Sequence, residues 1–295
     1  MTQTISRPAA TYYAKPYLLL VKPGIMAGNA ITAAAGFALA TRGPIDFGLF
    51  LAALIGLFLV IASACVFNNY IDRDADQKMA RTKNRPLAKR IIPLQNAITF
   101  AIFLGIAGTL ILALFVNFLA TAIALIGFFV YVLLYSFSKY RSTHATLVGS
   151  IAGAVPPVVG YCAVSNTFDM GALLFFIMII LWQMPHFYSI AIYRLNEYAA
   201  ASIPVLPVKK GIRTTKIYIV SYIAVFIISS LTLTLFGYTG LAYATAAAIL
   251  GLAWLALSIT GFKATNDKLW ARKMFILSLI VVTTLSLMIP FSIQG

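Results

Sequence analysis

Long apolar stretches separated by short polar connections make up most of the chain. A helix needs about 20 apolar residues to cross a bilayer, and nine such stretches can be drawn along the sequence. They run near residues 18–40, 47–71, 94–115, 118–138, 145–164, 170–193, 216–237, 241–261 and 273–291. The third and fourth divide at Asn117, because one helix through both would be longer than a bilayer is thick. The pattern predicts an all-α fold, a polytopic membrane helix bundle with nine transmembrane helices.

No boundary between domains is visible in this pattern. We expect residues 1–295 to form a single transmembrane domain, whose first part, residues 1–15, is polar and lacks a cleavable signal pattern. The fifth span carries three glycines and two prolines, at Gly149, Gly153, Pro156, Pro157 and Gly160. Helix-breaking residues are tolerated in a membrane where neighbouring helices or a cavity satisfy the backbone. This helix is therefore predicted to be broken or closely packed.

The composition agrees with a membrane protein, since 61% of residues are hydrophobic, 10% are charged and the mean hydropathy is +0.94. The net charge of +15 does not indicate nucleic acid, because the cations lie between apolar spans. Anionic lipid headgroups and an anionic substrate are the expected partners. Cys65 and Cys162 lie in apolar spans without a spacing partner, which predicts reduced packing residues rather than a disulfide or a metal site.

The cations also predict the orientation. Every Lys and Arg except Arg42 lies in the N-terminal segment or in a connection that follows an even-numbered span. Cytoplasmic loops carry an excess of Lys and Arg. The N-terminus is therefore predicted to be cytoplasmic, and an odd number of spans places the C-terminus outside.

A polar face follows the second apolar stretch. Asn68, Asp72 and Asp76 recur every four residues, so on a helix they lie on one face. Hard oxygen ligands suit Mg²⁺, which binds through one or two carboxylates plus substrate phosphates. Seven cations lie among and after them and suit the charge of a phosphate, namely Arg73, Lys78, Arg81, Lys83, Arg85, Lys89 and Arg90. The combination predicts a metal–diphosphate site at a membrane surface.

A topology signal alone would explain the cations but not the acidic face. Asp74 falls on another side of the helix, where we expect solvation or pairing with Lys78.

Two further polar groups lie near the same side of the bundle. Lys22 opens the first span and Asn29 follows it, and both are candidate substrate-binding residues. Alternatively, the Lys22 side chain reaches the headgroups and the Asn29 side chain hydrogen-bonds another helix. Tyr135 and Lys139 share a helix face by the four-residue rule, although Lys139 is also explained as a topology signal.

The sixth span ends in the segment WQMPHF, which places His186 inside a membrane span beside a proline. Three roles are open for this histidine: an interhelical hydrogen bond, a proton carrier or an iron ligand. His144, in a short basic loop, is expected to be solvated. Arg194 and Glu197 follow the sixth span and are expected to face the acidic motif across a common cavity.

The motif NxxxDxxxD followed by RTxxRPL resembles the intramembrane aromatic prenyltransferases of the UbiA type. Within them, WQMPHF, the segment before Tyr198 and IPVLP are similar to the subfamily that farnesylates protoheme IX. The resemblance implies nine helices around a central lipid-open cavity. It assigns the metal–diphosphate motif to Asn68, Asp72 and Asp76, with Mg²⁺ as cofactor. It assigns diphosphate contacts to Arg81, Arg85 and the Tyr135–Lys139 pair. Many relatives carry a second DxxxD after span six, and this chain has Arg194 and Glu197 there instead, which puts a second carboxylate metal site in doubt.

The resemblance also implies a reaction. A farnesyl group would pass from farnesyl diphosphate to a vinyl group of haem b, with addition of water. Asp72, Asp76, Tyr135, Lys139 and His186 are the expected catalytic residues. The expected substrate-binding residues are Lys22, Asn29, Asn68, Arg81, Arg85, Arg194 and Glu197. A bacterial plasma membrane is the expected location, with handover of product to a haem A synthase or a terminal oxidase assembly pathway. The alternatives are a prenyltransferase for a quinone precursor or another tetrapyrrole, and a transporter, which would carry charges near the bilayer midplane.

Overall fold

The computed structural model describes residues 9–292, with side chains from residue 14 onward, and the chain is helical throughout its spans. The helices are α1 Ala9–Leu20, α2 Pro23–Ala40, α3 Phe47–Asp76, α4 Leu94–Phe115, α5 Phe118–Ser138, α6 Ala145–Gly153, α7 Val155–Ser165, α8 Met170–Tyr193, α9 Leu195–Ala200, α10 Leu206–Leu235, α11 Leu241–Thr260 and α12 Asp267–Ser292. Within the described residues, nine helical segments are long and apolar enough to cross a membrane, α6 and α7 together forming one of them. This confirms the predicted all-helical class and the number of spans.

The predicted limits of the third, fourth and sixth spans agree with α4, α5 and α8. The predicted start of the first span at residue 18 is wrong, because residues 18–20 end α1 and the chain turns at Lys22, whose φ is 54°. Pro23 then begins α2. Proline is tolerated there because the N–H of a first helical residue has no partner within the helix, so its absence costs no hydrogen bond. The polar segment at residues 1–15 lies largely outside the described residues.

The seventh and ninth spans also begin earlier than predicted. Helix α10 starts at Leu206 and kinks at Gly211, whose φ of 81° is open to glycine at no steric cost. Lys209 and Lys210, which precede the predicted start of the seventh span at residue 216, therefore lie in a helical turn. Helix α12 starts at Asp267 rather than at residue 273. Hydropathy marks where the membrane begins, whereas a helix continues past it into the headgroups.

The fifth span is broken and closely packed, as predicted. Its two helices, α6 and α7, meet at Ala154, two residues before the first of the two prolines. A methyl group on Gly36 of α2 would lie 1.9 Å from the carbonyl oxygen of Pro157, and one on Gly160 would lie 2.0 Å from that of Ala33. The backbones of α2 and α7 thus touch directly, which is how small residues join helices in lipid.

Asn117 separates α4 from α5, as predicted. Its Oδ1 accepts a hydrogen bond from the backbone N–H of Ala120, 2.8 Å away, and so caps α5. Its Nδ2 donates to the carbonyl oxygens of Cys162 and Ala163 at the end of α7. One side chain therefore ends the apolar run and ties the turn to a neighbouring helix. Cys162 and Cys65 are both buried and free, as expected.

The cations gather at one end of the bundle, which we call the basic end. It comprises the connections at residues 77–93, 139–144, 194–205 and 264–266 with the adjoining helix ends. Two of these connections pack on each other, because Met79 contacts Ala201 and Ile203 in a small buried cluster. The basic end is therefore a packed cap over the helices that bear the acidic motif. All seven Asp and Glu residues of the chain lie at or beyond helix ends rather than mid-span.

Candidate active site

The polar face of α3 is continuous to the end of that helix. Asn68, Asp72 and Asp76 are all buried, with exposed fractions of 3%, 6% and 2%. The side chain of Asp74, two residues from either aspartate, is 78% exposed and approaches Arg73 at 3.8 Å rather than Lys78. The predicted one-face arrangement is confirmed, because a helix that continues past the membrane keeps its four-residue period.

Asp72 is held by two groups from the end of α5. Lys139 Nζ forms an ion pair with Asp72 Oδ1, and the Tyr140 hydroxyl donates to the same oxygen at 2.9 Å. Burial lowers the pKa of Lys139, and the charge and hydrogen bond of Asp72 oppose that shift. Burial, followed by the Asp72 charge, raises the pKa of Tyr140, so this phenol stays a hydrogen-bond donor.

Asp76 is held by its own connection. Arg85 donates from one guanidinium nitrogen to both carboxylate oxygens, at 2.9 and 2.7 Å. The Thr82 hydroxyl donates to the backbone carbonyl of Asp76 at 3.0 Å. The loop that carries the cations is thus folded back on the last turn of α3. Arg85 thus lies on the acidic face, and its contact with a diphosphate stays a prediction.

Lys22 reaches the same face from the break between α1 and α2. Its Nζ donates to Asn68 Oδ1 at 2.6 Å. Burial is the largest influence on this amine and lowers its pKa to about 8, whereas the negative charge of Asp72 opposes that shift. The neighbouring Asn69 donates to the carbonyl oxygen of Leu20, 2.8 Å away, which fixes the break in place. Lys22 is therefore hydrogen-bonded to the polar face of α3 rather than directed to the headgroups, and its contact with a substrate stays a prediction.

A π-helical segment at Val130–Tyr135 precedes Lys139. Such single-turn π segments are frequent at functional sites, because an extra residue in the turn redirects the side chains that follow. The rings of Tyr131 and Tyr135 stack with centroids 5.4 Å apart, and Lys139 Nζ lies 5.6 Å from the Tyr135 ring centroid. The predicted Tyr135–Lys139 face is confirmed by the α-helical bond from the Lys139 N–H to the Tyr135 carbonyl, 2.9 Å long.

The connection after α8 closes the basic end from the other side. Arg194 donates to Glu197 Oε1 at 2.7 Å, and Glu197 Oε2 is buried without a hydrogen-bond partner among the described residues. Burial raises the pKa of Tyr198, and the nearby positive charges of Arg81 and Arg194 oppose it most. The two connections pack on each other through Met79, Ala201 and Ile203. That Arg194 and Glu197 face the acidic motif across a common cavity stays a prediction.

His186 lies deeper, on α8. Its ring stacks on Trp182 with centroids 4.8 Å apart and contacts Phe275 of α12 at 5.1 Å. One turn earlier on α8, Gln183 Nε2 donates to the carbonyl oxygen of Ser150 at 3.0 Å, which joins α8 to α6. The histidine thus packs at the α8–α12 contact, and its role remains a prediction.

Asn29 and His186 are two predicted site residues that no contact among the described residues ties to the acidic face. His186 contacts α12 instead. The Asn29 side chain is half-buried on α2 and makes no hydrogen bond with a described residue. Two contacts were missed by sequence reasoning: Tyr140 on Asp72, and Ser278 on His186 at 2.7 Å. No spacing rule would have found them, because the partners lie 68 and 92 residues apart.

The donor set fits a hard divalent cation. Among the described residues, no group of three or more His, Cys, Asp or Glu side chains converges as a ready metal site. Mg²⁺ does not require one, because it keeps waters and takes substrate phosphates beside one or two carboxylates. Asp72 uses only Oδ1 for Lys139 and Tyr140, and its Oδ2 makes no hydrogen bond with a described residue. That oxygen is available to a metal, whereas both oxygens of Asp76 are engaged by Arg85.

Residues 29–280 match the UbiA prenyltransferase family, which is most of the chain. The chain belongs to the UbiA prenyltransferase family. It is accordingly an integral membrane protein, with the nine apolar spans described above.

Two curated relatives within this family are similar along nearly their whole length. The protoheme IX farnesyltransferase of Protochlamydia amoebophila (strain UWE25) is 52% identical over 277 residues, covering 94% of this chain and 98% of the relative. The protein of that name from Pseudomonas syringae pv. syringae (strain B728a) is 53% identical over 281 residues, covering 95% of each.

Solved structures of UbiA-type proteins share the fold. A structure of digeranylgeranylglyceryl phosphate synthase superposes with a TM-score of 0.78 at 20% identity, covering 94% of this chain and 97% of that one. A UbiA homolog from Archaeoglobus fulgidus bound to GPP and Mg²⁺ gives a TM-score of 0.64 at 14% identity, covering 94% and 99%. At these identities the likeness establishes the architecture alone.

Proposed function

We propose that this chain transfers the farnesyl group of farnesyl diphosphate to a vinyl group of haem b, giving haem O and diphosphate. The observation that carries the proposal is the 52% identity, over 94% of the chain, to a protein named protoheme IX farnesyltransferase. The buried acid–cation cluster supports the transferase chemistry, because it offers both cations for a diphosphate and a carboxylate oxygen for a metal.

The cations of the cluster would bind the diphosphate. Lys139, Arg85 and Lys22 each hold one group of the α3 polar face, at Asp72, Asp76 and Asn68. An incoming diphosphate offers these cations a second acceptor of higher charge. Their present partners keep them in place beforehand, so little side-chain entropy is lost when the substrate binds.

Asp72 and Asp76, with Asn68, are the residues that would hold Mg²⁺. When bound, Mg²⁺ supplies positive charge that stabilises the departing diphosphate. The A. fulgidus homolog of the same fold was solved with GPP and Mg²⁺, which supports a divalent cation for this chain. Because Asp72 Oδ2 alone is unengaged here, it would be the first carboxylate oxygen to bind the cation.

The reaction breaks the bond between farnesyl C1 and the diphosphate oxygen. The terminal carbon of the vinyl group forms a bond to C1, water adds to the inner carbon, and one proton is released. Lys139, Arg85 and the Tyr140 hydroxyl would stabilise the charge that builds on the leaving group. The packed contact of Met79 with Ala201 and Ile203 would limit entry of water from the basic end.

We place the protein in the bacterial plasma membrane, with the basic end in the cytoplasm and the C-terminus outside. The supporting observation is that Arg42 alone, among the 21 Lys and Arg residues that the structure describes, lies at the opposite end. Haem O is poorly soluble in water, so handover to a haem A synthase or a terminal oxidase assembly pathway within the same membrane is the expected fate of the product.

An assay with the purified full-length chain in lipid nanodiscs tests the function. Farnesyl diphosphate is offered with haem b or with a quinone precursor, with Mg²⁺ or with excess chelator, and products are identified by mass. We expect haem O only with haem b and only with Mg²⁺. Prenylation of the quinone precursor alone would overturn the haem assignment, and absence of any prenylated product from a folded sample would favour a transporter.

A further inference from the structure

The ring of His186 is fixed on three sides by aromatic groups. Trp182 stacks on it at 4.8 Å with an interplanar angle of 28°, Phe275 lies at 5.1 Å, and Phe187 meets its edge at 5.3 Å. The ring is 8% exposed, and it lies inside the span formed by α8. Rotation of the ring is therefore blocked, and each nitrogen has a defined direction.

One of the two ring nitrogens has a partner. Nδ1 lies 2.7 Å from the hydroxyl oxygen of Ser278 on α12. The Ser278 hydroxyl in turn donates to the carbonyl oxygen of Phe275, 2.6 Å away. A hydroxyl has a single hydrogen, and that hydrogen is used on Phe275. With that hydrogen on Phe275, the Ser278 oxygen accepts from His186, and this arrangement assigns the hydrogen of the neutral ring to Nδ1.

The same residue of α12 is held a second time from α8. Trp182 Nε1 donates to the backbone carbonyl oxygen of Ser278 at 2.8 Å. Trp182 and His186 are one helical turn apart, so their two bonds to a single residue fix both the distance and the rotation of α12 against α8. An interhelical hydrogen bond alone would need only one of these contacts.

A hydrogen on Nδ1 leaves Nε2 with a lone pair, and Nε2 has no hydrogen-bond partner among the residues that the structure describes. A lone pair binds a Lewis acid such as iron, whereas it repels a carboxylate such as a haem propionate. The second partner of a ligating histidine commonly sets which nitrogen meets the metal.

We propose that Ser278 is a positioning residue that holds His186 with its hydrogen on Nδ1, so that Nε2 is the axial ligand for the iron of the haem substrate. This inference rests on the proposed function and narrows it. Among the roles open to His186, it selects iron ligation over hydrogen bonding to a propionate. It places the porphyrin iron at the contact of α8 with α12.

The tautomer is measured without any substrate. The chain has only two histidines, so ¹⁵N-histidine NMR of the His144→Gln variant in lipid reports His186 alone. We expect a neutral ring protonated at Nδ1, and a shift of the population towards Nε2 protonation in Ser278→Ala. A ring protonated at Nε2 in the otherwise unaltered chain would overturn the proposal, whatever the enzyme's activity.

Haem titration tests the ligand role. Ser278→Ala is expected to weaken ferric haem b binding about 10- to 100-fold, the usual effect of losing the partner of a ligating histidine, and to lose the absorbance of nitrogen-ligated haem. Ser278→Thr retains the hydroxyl and should restore both. Ser286→Ala is the matched control, since Ser286 is a buried serine of the same helix whose hydroxyl has no partner among the described residues.

The controls separate this inference from the proposed function. Farnesyl diphosphate binding and thermal stability are measured on each variant and should stay within twofold and a few degrees of the parent. If the parent binds no haem and prenylates none, the proposed function fails. If the parent binds and farnesylates haem while Ser278→Ala and His186→Ala give its unchanged spectrum and affinity, the inference alone fails.

Discussion

At the scale of single residues, each buried carboxylate of the site has its own cation. Lys139 pairs with Asp72, and Arg85 pairs with Asp76. A buried charge without a partner destabilises a protein by about 3–5 kcal/mol, so these pairs make a polar face tolerable at the end of an apolar helix. The same pairing keeps the cations where a diphosphate would bind. Stability before binding and charge complementarity during binding thus depend on the same contacts.

Neutralising one carboxylate should therefore slow turnover strongly. Asp72→Asn keeps the shape of the side chain but removes the metal ligand charge and the partner of Lys139. We expect kcat to fall about 100- to 1,000-fold, the scale seen when one group that stabilises transition-state charge is lost. Asp76→Asn should behave similarly. Asp74→Asn is the control, because that side chain is 78% exposed on another side of α3. Equal losses at Asp72 and Asp74 in folded protein would refute the one-face arrangement.

Two groups of predicted site residues were found from a regular spacing. Asn68, Asp72 and Asp76 follow the helical period, and so do Tyr135 and Lys139. Tyr140 and Ser278 escaped prediction because each acts across an interhelical contact, and the sequence carries no signal of which helices are neighbours. Proximity in three dimensions, rather than residue type, is what the structure adds.

At the scale of elements, the spans are joined by small residues rather than by apolar bulk. Lipid tails are as apolar as leucine, so burying leucine drives helix association little, and close backbone approach replaces it. Gly36 and Gly160 lie at the α2–α7 crossing. Gly56 and Gly108 lie at the α3–α4 crossing, where a methyl group added to Gly108 would lie 2.6 Å from the Gly56 carbonyl oxygen. The sequence predicted the break in the fifth span from its glycines and prolines but gave no partner for it.

A methyl group at the α2–α7 crossing should destabilise the bundle. In Gly160→Ala the new carbon would lie 2.0 Å from the carbonyl oxygen of Ala33, and backbone cannot move aside as a side chain would. We expect a loss of about 1–3 kcal/mol, typical of overpacking, seen as a lower midpoint of thermal unfolding in detergent. Gly28→Ala on α2 has nothing within 4 Å, so it should be neutral or stabilising by up to about 1 kcal/mol. A Gly160→Ala midpoint equal to that of Gly28→Ala would contradict the direct backbone contact.

At the scale of the whole molecule, charge is distributed between the two ends of the bundle very unequally. The basic end carries the paired carboxylates and nearly all the cations, whereas the connections at residues 41–46, 116–117, 166–169 and 236–240 hold Arg42 as their one cation. A water-soluble diphosphate would therefore reach its site from the same side that fixes the orientation in the membrane. The farnesyl chain and the porphyrin of the proposed substrates would then lie among the apolar helices of the rest of the bundle.

This asymmetry predicts which residues are accessible from each side of the membrane. Cys65 and Cys162 are buried and free, so the unaltered chain should give little background with a membrane-impermeant thiol reagent. Thr167→Cys, at an exposed position between α7 and α8, should be labelled in intact cells. Lys83→Cys, exposed at the basic end, should be labelled only after the cells are permeabilised. A reporter fused after Gly295 should read as extracytoplasmic.

Labelling of both cysteine variants in intact cells would mean that one predicted span does not cross the membrane. The division at Asn117 is the first place to look for that error, because α4 and α5 are separated by only two residues. If α5 were the span that does not cross, a fusion placed at Asn117 would read as cytoplasmic, and the bundle would have lost one crossing. Labelling of Lys83→Cys alone in intact cells would instead mean that the orientation of the whole protein in the membrane is the reverse of the predicted one. The diphosphate site would then face away from the cytoplasm, and a cytoplasmic supply of farnesyl diphosphate would be excluded.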